Sequence, residues 1–82
     1  MIDLTKIERD ILAALNSVFD RFQSDYGKAL PVATWHVRLE MDNKFTSPQI
    51  RKKLRFLEDL GLVSGKKDGN NIVWIPIKEQ TK

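Results

Sequence analysis

Thr46-Ser47-Pro48-Gln49-Ile50-Arg51-Lys52-Lys53-Leu54-Arg55-Phe56-Leu57-Glu58-Asp59-Leu60-Gly61-Leu62-Val63 reads as one helix with both ends marked and a strand begun beyond it. With Thr46 as N-cap, Gln49 falls at the capping-box position and Phe45 can pack on Ile50 as a hydrophobic staple. The competing register makes Ser47 the N-cap and puts Pro48 at the favoured first helical position; two independent features agree on Thr46. Gly61 supplies the stop, a residue tolerant of positive φ just past the last turn. At about 100° per residue, Leu54 and Leu57 lie within roughly 40° of Ile50, and Leu60 and Phe56 widen the apolar arc. These five are expected to face the core. Arg51, Lys52, Arg55 and Asp59 lie opposite, with Pro48, while Lys53 sits near the apolar edge and has to snorkel.

Beyond this helix, Leu62-Val63-Ser64 and Ile72-Val73-Trp74-Ile75 are strand-like, and the Lys66–Asn71 stretch between them has the Asp-Gly and Asn-rich chemistry of a hairpin loop. Pro76 ends the ladder, and residues 78–82 are expected to fray. The second strand is apolar on both faces. Either the first helix and a partner surface cover the two sides, or one side is a dimer contact.

Upstream, Thr5-Lys6-Ile7-Glu8 offers a second capping box, and Leu4, Ile7, Ile11, Leu15, Val18 and Phe22 recur at spacings of three and four. That is a one-sided helix, fading near Ser24 and closed by Gly27. Pro31 suits the first turn of a short second helix, in which Val32, Trp35 and Leu39 share a face. Met41-Asp42-Asn43-Lys44 reads as the loop into the third helix. Trp35 and Trp74 could stack on bases, but both sit in apolar patterns and are expected in the core.

The chain has 82 residues, 41% apolar and 30% charged, which suits one small α+β domain over residues 1–77 with a short tail. No apolar run approaches the roughly 20 residues of a membrane span. A cysteine-free chain without a secretory type of N-terminus points to a cytoplasmic location. The net charge of +3 is unevenly placed: residues 1–43 hold five cations against seven carboxylates, residues 44–82 nine against four. The positive field therefore belongs to the half that carries the third helix and the hairpin.

An outward basic stripe on a helix pinned from behind can enter a major groove, where Arg bonds guanine, Gln bonds adenine, and Ser or Thr near the helix start bonds phosphate. Lys66 and Lys67, expected at the hairpin tip, would meet the flanking phosphates. His36 is the sole histidine, so with no cysteine a zinc site lacks the usual ligands, and His36 is expected on a solvated helix surface. Ser47 lacks the strained glycine-flanked turn of a nucleophile, and no glycine-rich phosphate loop is present. No enzyme and no cofactor are expected.

Helix, short helix, a third helix ending Leu57-Glu58-Asp59-Leu60-Gly61-Leu62-Val63, and a hairpin over Ser64–Pro76 together resemble the winged helix-turn-helix domain of prokaryotic transcription regulators of the MarR and ArsR type. The resemblance implies three helices followed by a two-stranded wing. It also implies duplex DNA as partner, with Gln49, Arg51, Lys52 and Arg55 toward bases or phosphates and Lys66 and Lys67 on the wing. From the residues themselves, Thr46 and Ser47 join as cap or phosphate contacts. A homodimer on two half-sites is the arrangement that would give useful specificity. The alternative is a protein-binding adaptor, docking through the wing strand or the first helix.

Overall fold

The computed structural model describes residues 4–77, so the tail expected to fray, residues 78–82, lies outside the described residues. Three helices and a three-stranded antiparallel sheet follow in the order α1 (Lys6–Tyr26), β1 (Val32–Ala33), α2 (Thr34–Glu40), α3 (Ser47–Asp59), β2 (Val63–Asp68) and β3 (Asn71–Pro76). The α+β class is as expected from the sequence. The expected hairpin forms from β2 and β3, and β1 adds a third strand, so the sheet order is β1-β3-β2 with β3 in the middle.

Both capping boxes form. In α1 the Thr5 hydroxyl accepts from the Glu8 N–H at 3.2 Å while Glu8 Oε1 accepts from the Thr5 N–H at 2.9 Å. In α3 the Thr46 hydroxyl accepts from the Gln49 N–H at 3.3 Å and Gln49 Oε1 from the Thr46 N–H at 2.9 Å. The α3 exit is a Schellman turn: the Gly61 N–H donates to the Glu58 carbonyl at 2.9 Å and the Leu62 N–H to the Leu57 carbonyl at 3.0 Å. Gly61 stands at φ 82, which a side chain would disfavour. The chain thereby reverses straight into β2.

The core collects Ile11, Leu15, Val18 and Phe19 from α1, Val32 from β1, Val37 from α2, Ile50, Leu54 and Leu57 from α3, and Val63 and Trp74 from the sheet. Trp74 is its largest fully buried side chain. Its indole N–H donates to the Thr34 hydroxyl at 2.8 Å, and that hydroxyl donates to the Ile72 carbonyl at 3.3 Å. Opposite Trp74 in the ladder stands Gly65, where a Cβ would come within 2.5 Å of the indole ring. Gly65 is therefore a packing requirement of Trp74, and its N–H donates to Glu58 Oε2 at 3.0 Å, tying α3 to the sheet.

Four expectations need correction. Val32 belongs to a strand, not to the second helix: β1 pairs Val32 with Trp74 and Ala33 with Val73, so α2 starts two residues later and its buried face is Thr34 and Val37. Trp35 and Leu39, assigned to that face, are 45% and 50% exposed. Phe56, placed in the apolar arc of α3, is 42% exposed, because the arc meets its neighbours through Ile50, Leu54 and Leu57 and leaves the edge open. Finally, β2 runs on to Asp68, so Lys66 and Lys67 are strand residues, opposite Val73 and Ile72, and the turn is Gly69-Asn70. β3 reads apolar on both faces because it is the central strand: Trp74 and Pro76 are buried on one face, and Ile75 stays 41% exposed on the other.

Candidate nucleic-acid interface

Ser47, Arg51 and Arg55 recur every four residues and form one row along α3. Ile50, Leu54 and Leu57 behind that row are fully buried and fix its direction. Between Ser47 and Asp68 the sequence carries six cations and three carboxylates. Two of the six are engaged. Lys53 reaches Glu8 at 3.5 Å, and Arg55 Nη1 reaches Glu58 at 3.4 Å while its guanidinium lies 5.7 Å from the Trp74 ring centroid. Arg51, Lys52, Lys66 and Lys67 are exposed and make no ion pair among the described residues.

The structure brings some of the sequence-nominated residues together and separates others. Ser47 and Arg51 share a shallow notch with Thr34, Trp35 and the hairpin residues Asn70 and Asn71, so the first half of α3 and the hairpin tip form one surface. Lys52 turns the other way. It rims an apolar cleft of about 380 Å³ between α1 and α3, floored by Ile7, Ile11, Phe45 and Phe56. Because neighbouring strand residues point to opposite faces, Lys66 and Lys67 do not act as a pair. Lys67, opposite Ile72, projects on the Trp74 side of the sheet that meets the helices, whereas Lys66, opposite Val73, projects on the outer side. Thr46 and Gln49 are held in the cap, which takes up the Gln49 side-chain oxygen and leaves its NH₂ and the Thr46 hydroxyl proton for an outside acceptor.

His36 is not the solvated residue the sequence suggested. Its Nδ1 accepts from the Ala33 N–H at 3.2 Å, its ring stacks on Trp35 at 3.8 Å, and the edge of Phe22 meets it at 5.0 Å. Burial holds its pKa below the usual 6.5, which agrees with a neutral ring able to accept. Glu8 is 7% exposed yet sits below the usual carboxylate range, chiefly because the Thr5 N–H donates to it, with Lys53 adding to the effect. Both groups serve the scaffold. Among the described residues no cluster of three metal-ligating side chains exists, and no helix is long and apolar enough to cross a membrane.

Sequence reasoning set Trp35 in the core and did not single out Asn70 and Asn71 as contacts. The asparagines were legible only as turn chemistry. Trp35 was hidden by the phase of the second helix, which two strand residues shift. No family profile, curated protein or solved structure matches the chain. The function therefore rests on the chemistry of this surface.

Proposed function

We propose that the chain is a small winged-helix protein that binds duplex DNA, with α3 in the major groove and the β2–β3 hairpin against the backbone, acting as a transcription regulator. The observation that carries this is the joint surface of α3 and the hairpin tip, where Ser47 and Arg51 meet Asn70 and Asn71 beside exposed, unpaired cations. Arg51 is the base-reading candidate, since its guanidinium is unengaged and can bond guanine through two donors. Arg55, shared with Glu58 and Trp74, is better placed for phosphate. Lys52 and Lys67 flank the row as phosphate contacts, and Lys66 contributes less from the far face of the sheet.

Fluorescence anisotropy of a labelled duplex over a salt series tests this. With about four or five phosphates neutralised, log affinity falls against log salt with a slope near −4. Arg51→Ala weakens a preferred sequence more than a random one, and Lys67→Ala weakens both alike. Absence of salt-dependent binding at low salt overturns the proposal.

One observation favours the adaptor as a second reading. Ile7 and Phe56, 40% and 42% exposed, open the α1/α3 cleft to solvent beside Lys52 and Lys53, which gives a protein partner an apolar foothold on α1. The wing strand itself offers less, because β3 is central and Trp74 is buried.

A further inference from the structure

We propose that Trp35 and the notch beside it take one unpaired nucleobase of a DNA strand, so that a duplex interrupted by a short single-stranded gap binds more tightly than an intact one; this rests on the duplex-binding role above. Trp35 is 45% exposed in a domain whose other tryptophan is fully buried. It is nonetheless held in place. The indole stacks on His36 with 3.8 Å between centroids and 29° between planes. His36 is in turn fixed by the Ala33 N–H and by the edge of Phe22. A surface aromatic immobilised in this way needs little further ordering to stack on a ligand.

The surroundings suit a nucleobase. Asn70 and Asn71 carry amides that both donate and accept, as a base edge requires, and Arg51 supplies a cation for the adjoining phosphate. The notch is small, about 90 Å³, so it admits the edge of one base and not a run of them. A base inside a duplex has both faces covered by its neighbours and its pairing edge engaged. An unpaired base offers the indole a free face and the asparagines a free pairing edge together, which a base inside the duplex does not.

The test compares a short duplex with the same duplex carrying a two-nucleotide gap, at low salt, by anisotropy and by tryptophan emission. Trp74 is buried and remains in the Trp35→Ala variant, so the part of the quenching that this variant loses reports on Trp35. The gapped DNA is expected to bind about tenfold more tightly than the intact one and to quench the emission. Trp35→Ala erases that difference, and Trp35→Phe, which keeps an aromatic face, retains most of it; the near-ultraviolet dichroism of Trp74 confirms that both variants fold. Equal affinity of the wild type for the two DNAs, or a difference that survives Trp35→Ala, overturns the inference and leaves duplex binding standing. Failure of either DNA to bind overturns both.

Discussion

Trp74 concentrates more of the fold's constraints than any other side chain. Its indole N–H needs the Thr34 hydroxyl, its ring face needs a glycine at position 65, and its strand lies between two others. Gly65→Ala drives a methyl group into the ring and is expected to destabilise the domain by about 1–3 kcal/mol, read as a lower midpoint in urea with an unchanged slope. Thr34→Val keeps the shape but leaves the indole donor buried without an acceptor, and is expected to remove about 1–3 kcal/mol by the same measurement. His36 adds a pH dependence whose sign follows from its lowered pKa: its contribution is complete above the ordinary value of 6.5 and is lost as pH falls through the lower folded value. An imidazole proton titration by NMR should show a midpoint below 6.5, and a midpoint above it would contradict the Ala33 N–H bond to Nδ1.

The elements were legible where their signals are local. Thr5 with Glu8, Thr46 with Gln49, and Gly61 after Leu60 act within four residues, and each does in the structure what its spacing predicts. Thr46→Ala removes the α3 cap and is expected to lower stability by about 1 kcal/mol in chemical denaturation. At the start of α1, the lowered Glu8 pKa means that its contribution is present above the ordinary value of 4.5 and is lost as pH falls through the folded value. Glu8→Gln should therefore flatten the loss of thermal midpoint between neutral and strongly acidic pH, and a wild-type slope in that variant would place the acid sensitivity elsewhere. Illegible elements were those set by distant partners. Two residues cannot show strand alternation, so β1 exists only through its pairing with β3, and mistaking Val32 for helix carried Trp35 into the core and Val37 out of it. The same blindness set Lys66 and Lys67 together at a loop tip, when their ladder partners place them on opposite faces.

At the scale of the whole molecule, four exposed cations without an ion-pair partner among the described residues gather on α3 and the hairpin. Arg21 meets Glu40 at 2.7 Å, Lys6 meets Asp10 at 3.0 Å, and Glu8 meets Lys53 at 3.5 Å, whereas Arg51, Lys52, Lys66 and Lys67 find no ion-pair partner among the described residues. The candidate residues themselves were legible from the stripe they make on α3; the way they divide, Arg51 toward the hairpin tip and Lys52 toward the α1 cleft, depends on how the helices and the sheet pack and is written in no local pattern. An unbalanced face of this kind makes association steep in salt and fast at low salt. From the sheet faces, Lys67→Ala is expected to reduce the affinity for duplex DNA several-fold more than Lys66→Ala, measured by anisotropy at low salt. The most direct measurement is an amide-resolved NMR titration of the chain with a mixed-sequence DNA duplex at low and at physiological salt. Duplex binding through α3 and the hairpin predicts salt-sensitive shifts gathered on residues 46–55 and 66–71; a folded domain showing no shifts at low salt, or shifts confined to the exposed face of α1, would contradict it.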